Sequence, residues 1–345
     1  MTAWAEEQGL SGTLSVASGW PPAMNMCYGA AIVVNAARDH EHAAKWAIAN
    51  DIPVLIEKPI AVTAPAARSI AAAAGRRNSK IAAANVFLFA SYLDHFARRV
   101  GDCGELRSIE VHWADPAGED RYGETKQYDP GLPVFADCLP HTLAILEKLT
   151  SLPPVCVALT VAGGGAAVSL DLMLGNLPCR VHLVRNAAGR RRTVEVVTAL
   201  AALTLDFTRE PGLIQHNGVI SPADPDWNSG PRPVCRMLSA FLAWVAEGQF
   251  DQRLDIDRGV RACEVIDTVA RLYSAAVLPW LRARLATAVS PDDDVRYALT
   301  EMLQATGPAH GTDEARLRGL LGALGVSAQV IGGVLSDFAA TGVRT

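Results

Sequence analysis

Several features are scarce in this 345-residue chain, and each scarcity excludes a class of protein. The seven cysteines are scattered and never form a Cys-x-x-Cys pair, which argues against a disulfide framework and against a zinc ribbon. No uninterrupted apolar run reaches the length of about 18 residues that a transmembrane helix needs. No long basic tract stands out and the formal net charge is −5, which argues against a nucleic-acid or membrane partner. We therefore expect a cytoplasmic protein with reduced thiols.

Apolar residues, by contrast, are plentiful. They make up 50% of the chain, which is enough for a packed core and argues against wholesale disorder. The length suggests about two domains. From the changes in pattern described below, we expect a first domain over residues 1–100, a second over 101–288 and a helical extension over 289–345.

The first hundred residues alternate between strand and helix patterns. Helical spacing occurs over residues 40–50 and 63–74. Short runs that are almost entirely apolar, as strands buried on both faces are, occur at 31–35 and 53–56. Residues 13–17 and 80–84 are further strand candidates. Strands that alternate with helices predict a parallel α/β sheet.

The pattern changes after about residue 100. Residues 106–113 alternate between apolar and polar, as a strand with one wet face does. A helix pattern follows at 137–149. Further strand patterns occur at 154–162, 167–174, 179–185, 193–198 and 203–207. The glycines at 163–165 indicate a hairpin turn rather than a phosphate loop, because no helix follows them.

These patterns predict the architecture of the second half. We expect an α+β domain with a large, open, mainly antiparallel sheet, backed by helices at 231–248 and 258–286. Short helices with Gly and Ala punctuation follow from about Pro291.

Polar side chains follow two neighbouring strands of the predicted parallel sheet. His40 lies 17 residues before Glu57, which leaves room for one helix and one strand, so both residues emerge at the carboxyl edge where open α/β sheets bind ligands. Lys58 lies between a buried strand and Pro59, so its ammonium is held in one direction. It could orient a substrate oxygen or lie beside a transferring hydride; the alternative is a solvated lysine in a turn.

A second candidate pair lies about 80 residues further on. Asp137 and His141 are four residues apart, which places both side chains on one face of a helix. Such a pair suits proton transfer, with His141 as general acid or base and Asp137 orienting it. The alternative is a structural histidine near a helix start. The pair lies in the second half of the chain and Lys58 in the first, as a site in a cleft between two domains would require.

These residues resemble those of the Gfo/Idh/MocA family of NAD(P)-dependent oxidoreductases, which includes glucose–fructose oxidoreductase and inositol dehydrogenase. Glu57, Lys58 and Pro59 match the family's Glu-Lys-Pro motif. Asp137 and His141 match its Asp-x-Gly-x-His motif, and His40 occupies the position of its upstream histidine. The resemblance covers roughly residues 12–280.

The resemblance implies a Rossmann domain, an α/β substrate domain and hydride exchange between nicotinamide C4 and a small substrate that is sugar-, polyol- or imine-like. It implies Lys58, Asp137 and His141 as catalytic residues and NAD or NADP as cofactor. The implied cofactor contacts are Asn35, His40, Glu57, Lys58 and Asn85. It further implies a homo-oligomer, either a dimer or a tetramer.

The chain departs from the family pattern at its start. No Gly-x-Gly-x-x-Gly turn is present, residues 2–9 resemble the helix that should follow that turn, and residues 13–17 resemble the second strand. We therefore expect an N-terminally shortened Rossmann-like domain. Either the true start lies upstream of Met1, or residues 13–17 pair directly with 31–35 and the cofactor site is lost. Leu139 also replaces the motif glycine.

Three functions stay open on these observations. The first is an NAD(P)-dependent oxidoreductase. The second is a relative without cofactor that uses the same cleft for redox-neutral isomerisation, elimination or cyclisation. The third is a non-catalytic ligand-binding or scaffold protein. His40 and His42 lie two apart and on different helix faces, so we expect no metal site there.

Overall fold

The chain folds into two main sheets with helices packed on them. A computed structural model describes residues 29–116, 132–162 and 165–287, together with residues 118, 120, 121, 124, 125 and 318. The strand predicted at 13–17 and the helices predicted after residue 289, residue 318 apart, lie outside the described residues. Within the described ranges, no helix combines the length and the apolar character needed to cross a membrane.

The first sheet is the predicted parallel one. Its strands are β1 (Ala31–Val33), β2 (Val54–Ile56) and β3 (Ile81–Ala83), in the order β1-β2-β3. All pairings are parallel, and β2 is buried along its whole length. The apolar runs in the sequence therefore mark the strands, although each strand is one or two residues shorter than its run.

Helices α1 (His40–Ala49) and α2 (Ala64–Arg77) connect these strands. The Thr63 side chain caps α2 by accepting a hydrogen bond from the backbone N–H of Ala66. The helix ends at Arg77, later than the predicted end at residue 74, because Asn78 takes the left-handed conformation (φ 53°) that closes it.

The second sheet has eight strands. They are β4 (Leu106–Pro116), β7 (Pro154–Ala162), β8 (Ala167–Leu174), β9 (Leu177–Ala187), β10 (Arg191–Thr198), β11 (Ala202–Asp206), β12 (Leu213–His216) and β13 (Val219–Pro222). Their order in the sheet is β13-β12-β11-β10-β4-β9-β8-β7. Only β4 and β9 pair in parallel, so the prediction of a mainly antiparallel sheet is confirmed. The hairpin β12–β13 was not predicted. Strands β5 (Asp120–Arg121) and β6 (Glu124–Thr125) form a separate pair.

The remaining helices are α3 (Ser91–Asp102), α4 (Val134–Leu149), α5 (Pro233–Glu247) and α6 (Ile256–Thr287). Helix α4 packs against β9, β4 and β8, and α6 packs against β7. The side chains of β4 alternate accordingly, since Val111 is buried under the helices while Glu110 and His112 lie on the other, open face of the sheet. The open sheet backed by helices is thus confirmed.

Helix α6 joins the two sheets into one unit. It contacts α2 and β3 on one side and α4 and β7 on the other. Asp267 accepts a hydrogen bond from the N–H of Ala64 at the start of α2, at 3.1 Å. A Cβ atom on Gly259 would lie 2.8 Å from the buried side chain of Ile60. This close packing fixes the carboxyl edge of the first sheet relative to α4.

Candidate active site

Lys58 and Asp137 meet where the two halves of the chain touch. Lys58 lies two residues after β2, and its Nζ donates hydrogen bonds to Asp137 Oδ1 at 2.6 Å and to the main-chain oxygen of Asp137 at 2.9 Å. Asp137 lies in the first turn of α4. Both side chains are largely shielded, with exposed fractions of 14% and 22%. The structure therefore brings together the lysine and the acid that the sequence placed in different domains.

A second cation, not predicted from the sequence, completes this group. Arg185 on β9 is buried and places Nη2 at 3.5 Å from Asp137 Oδ2. Its guanidinium also donates to the main-chain oxygen of Leu132, at 3.0 and 3.1 Å. The Asp137 carboxylate is therefore flanked by positive charges from both sheets.

The contacts of Asp137 and Lys58 favour the charged form of each residue. Burial opposes the charged form of Asp137, but Lys58 and Arg185 outweigh it and hold the pKa of this carboxyl well below its usual range. Burial likewise opposes the Lys58 ammonium, and the Asp137 carboxylate outweighs it and raises the pKa of Lys58. At neutral pH, Lys58 is accordingly a fixed cation and not a base.

His141 lies one turn after Asp137 on α4 and is half-buried. Its ring stacks on Trp113 of β4, with centroids 5.1 Å apart and planes 20° apart. The ring of Phe87 meets it edge-on at 5.1 Å. These two aromatic contacts fix the plane of the imidazole, as a positioned acid or base requires.

Trp113 is held in turn by a buried ion pair. The Arg192 guanidinium lies 3.6 Å from the Trp113 ring centroid and pairs with Asp115, which also accepts a hydrogen bond from Trp113 Nε1. Arg192 and Asp115 are both buried. Trp113, on which His141 stacks, is thus held in place by two buried partners.

The residues implied as cofactor contacts do not all lie together. His40 is buried, and its ring nitrogens lie 2.8 Å from the carbonyl oxygen of Pro59 and 2.9 Å from that of Asn35. It therefore links the loop after β1 to the loop after β2. Asn35 is exposed and Glu57 half-buried at the same sheet edge as Lys58. Burial raises the pKa of Glu57 more strongly than Lys58 lowers it.

Asn85, which follows β3, lies elsewhere. It is buried, and its amide nitrogen has no acceptor among the described residues. It borders a cavity of about 600 Å³ between α4, α6 and the start of β7, and neither Lys58 nor His141 lines that cavity. The structure groups Asp137, His141 and Lys58, and it places Asn85 on a separate opening.

Leu139, which replaces the family's glycine, is fully buried. At about 100° per residue it lies on the opposite side of α4 from Asp137, so the replacement leaves the face with Asp137 and His141 unchanged. The neighbouring thiol of Cys138 is also buried, and burial raises its pKa, which leaves it inert at neutral pH.

The described residues suit the nicotinamide end of a dinucleotide cofactor. Asn35, Glu57 and Lys58 lie at the carboxyl edge of a parallel sheet, where such folds bind dinucleotides, and Lys58 supplies a fixed positive charge near His141. No glycine-rich turn follows β1, β2 or β3 within the described ranges. A nicotinamide ring bound at this edge would meet Asn35, Glu57 and Lys58, whereas none of these three strands supplies the usual pyrophosphate turn.

The fold defined above, a small parallel sheet joined to a large open sheet, is shared with solved oxidoreductases. UDP-N-acetylglucosamine 3-dehydrogenase from Acidithiobacillus ferrooxidans is 18% identical, with a TM-score of 0.59 over 72% of this chain and 79% of that one. Aldose–aldose oxidoreductase from Caulobacter crescentus is 16% identical, with a TM-score of 0.60 over 70% and 76%.

A third similar structure is a 3-ketoreductase from Actinomadura kijaniata in complex with TDP-benzene and NADP, 15% identical, with a TM-score of 0.57 over 68% and 76% of the two chains. At these identities the likeness establishes a common fold. No protein-family model and no curated protein sequence matches the chain.

Proposed function

We propose that this protein is an NAD(P)-dependent oxidoreductase of the Gfo/Idh/MocA type that acts on a small sugar-, polyol- or imine-like substrate. The observation that carries the proposal is the contact between Lys58 of the first sheet and Asp137 of α4, with His141 one turn away. The similar solved structures support it, since they include sugar oxidoreductases and a ketoreductase that holds NADP.

The residues have distinct roles in this reaction. A bound nicotinamide supplies hydride exchange at its C4 atom. For an alcohol substrate, loss of hydride from the carbon leaves a carbonyl and releases the hydroxyl proton. His141 accepts that proton and returns it in the reverse direction. The Lys58 ammonium donates a hydrogen bond to the substrate oxygen and stabilises the negative charge that develops there.

The surroundings of the two groups support these roles. Asp137 keeps Lys58 positioned and charged, and Arg185 holds the other oxygen of the same carboxylate. A lysine held in this way suits electrostatic stabilisation better than proton abstraction. Trp113 and Phe87 fix the His141 ring, which leaves proton transfer to the imidazole.

A second function is favoured by one specific observation. The 345-residue sequence contains no Gly-x-Gly-x-x-Gly pattern anywhere, and that pattern is the usual pyrophosphate site. Without a nicotinamide, the same groups would carry out redox-neutral chemistry. His141 would remove a proton next to a carbonyl, and Lys58 would stabilise the resulting enolate.

A cofactor titration separates the two functions. The full chain is titrated with NADH and, separately, with NADPH, and binding is followed by calorimetry. We expect saturable binding of one of them below millimolar concentration. No heat of binding at millimolar NADH and NADPH would exclude the oxidoreductase and leave the redox-neutral enzyme.

Substitutions test the assigned residues once a substrate has been found in a panel of sugars and polyols. Lys58→Met and His141→Asn are each expected to reduce kcat by about 100- to 10,000-fold. Lys148→Met is the matched control, because Lys148 has the same side-chain exposure of 14% and is also paired with an acid, Asp94. Unchanged turnover in both site variants would contradict the assignment.

A further inference from the structure

The open face of the large sheet carries a group of side chains that the proposed reaction does not use. Glu110 and His112 project from this face of β4, and His182 projects from the same face of β9. These two strands are the central parallel pair, and His112 is directly opposite His182 in their register. The backbone therefore holds the two imidazoles side by side.

The side chains converge on one point. Both His112 Nε2 and His182 Nε2 lie close to the same oxygen, Glu110 Oε1, at 3.1 Å and 3.0 Å. The three donor atoms all lie within 4.8 Å of one another. The two imidazole rings are stacked, with centroids 4.6 Å apart and planes 12° apart, so at least one ring has to turn before both Nε2 atoms can bind the same ion.

We propose that Glu110, His112 and His182 form a binding site for a divalent transition-metal ion, Zn²⁺ in the first place. Two imidazoles and one carboxylate are a donor set that zinc prefers. Bond lengths of about 2.0–2.1 Å in a tetrahedral site place donor atoms about 3.3 Å apart. The observed separations from Glu110 Oε1 need to widen by only a few tenths of an ångström to admit the ion.

Neighbouring residues support the site. Ser169 Oγ lies 2.8 Å from His182 Nδ1, and such a partner on the second ring nitrogen orients a metal-binding histidine. Glu195, opposite Glu110 on β10, places Oε1 at 3.9 Å from His112 Nε2 and is a candidate fourth ligand. Arg191 lies 3.4 Å from that oxygen and competes with the ion for it.

The side chains of this site are open to solvent, but their backbones are held within the sheet. The side chains of Glu110, His112 and His182 are 43%, 19% and 26% exposed, so an ion can enter directly. Their backbones belong to strands in the middle of an eight-stranded sheet. A bound ion would cross-link β4 to β9 on the face opposite Trp113.

Zinc binding is measured on the full chain, expressed without a histidine tag and freed of metal with a chelator. Equilibrium dialysis with metal analysis is expected to give one Zn²⁺ per chain. His182→Ala and Glu110→Gln are each expected to weaken binding at least about 100-fold, and Ser169→Ala about tenfold. His42→Ala, on α1 and outside the group, is the control and should leave binding unchanged.

Controls distinguish a loss of zinc binding from misfolding, and the zinc measurement does not depend on the proposed reaction. Metal-free variants are compared by circular dichroism, and Glu110→Gln keeps the shape of the side chain if His182→Ala does not fold. Co²⁺ in place of Zn²⁺ should give the visible absorption of a tetrahedral site, which His182→Ala should abolish. No Zn²⁺ bound at millimolar concentration, or equal affinity in wild type and both ligand variants, would overturn the proposal. Loss of nicotinamide binding would leave it untouched.

Discussion

Strands β4, β9 and β10 carry charged residues on both faces of the large sheet, and the charges on the two faces differ in how far they are buried. On the inner face, the side chains of Arg185 and Arg192 are only 6% and 2% exposed, and each is paired with an aspartate. On the outer face, Glu110 and His182 are 43% and 26% exposed. Buried charges depend on their protein partners, whereas exposed ones are satisfied by water and can accept an added ion. The inner face therefore fixes geometry, and the outer face is available for binding.

Removing the aspartate that pairs with Arg185 of the inner face is the strongest test of this difference. Asp137→Ala would leave Lys58 and Arg185 without their shared carboxylate, and we expect the free energy of unfolding to fall by about 3–5 kcal/mol. Urea denaturation followed by circular dichroism measures it. Asp94→Ala, which removes the more exposed acid paired with Lys148, is the control and should cost no more than about 1 kcal/mol. Equal losses in the two variants would contradict the comparison.

The second inner pair should show the same dependence on its partner. Arg192→Met leaves the Asp115 carboxylate buried and unpaired, which we expect to cost about 3 kcal/mol. Adding Asp115→Leu removes the stranded charge and should recover part of that loss. The double variant is measured by the same denaturation. A double variant less stable than the sum of the two single changes would argue against a simple buried pair.

A smaller effect is expected in the pH dependence of the inner group. The lowered pKa of Asp137 makes its contribution complete above the ordinary carboxyl pKa of about 4, and the contribution is lost as pH falls through the lowered value. The raised pKa of Lys58 keeps its contribution complete below about pH 10. The stability difference between wild type and Asp137→Asn should be constant from about pH 5 to 10 and shrink below pH 4. A difference that varies around neutral pH would contradict this.

The smallest effect is expected on the outer face. In metal-free protein, Glu110→Gln should change the free energy of unfolding by less than about 1 kcal/mol, because its partners are exposed enough to be solvated. Thermal and urea unfolding in the presence of a chelator measure this. A loss as large as that of Asp137→Ala would mean that the outer group is structural.

Local patterns in the sequence were enough to predict the parallel sheet. The apolar runs around Leu55 and Ala82 are too short for helices and too continuous for a half-exposed strand, so they could only be buried strands. Hairpin β12–β13 was missed because its strands are short and largely exposed, and Val219 and Ile220 alternate too weakly to mark a strand.

The site was predicted in part, for a physical reason. Lys58, Asp137 and His141 carry local signals, namely a strand end and a helical spacing of four. Arg185 and Trp113 carry none, because an alternating strand pattern says which face a residue is on and not which residue of another strand it meets. The pairing of His112 with His182 depends on the register of β4 and β9, which sequence spacing does not reveal.

Gly259 has a consequence that reaches the lysine. It lies against Ile60, two residues after Lys58, and Ile60 is 98% shielded, so this side chain has no room to retreat. Even a single methyl group at position 259 would push α6 away from the first sheet. The position of Lys58 opposite Asp137 therefore depends on the absence of a side chain at residue 259, some 200 positions further along the chain.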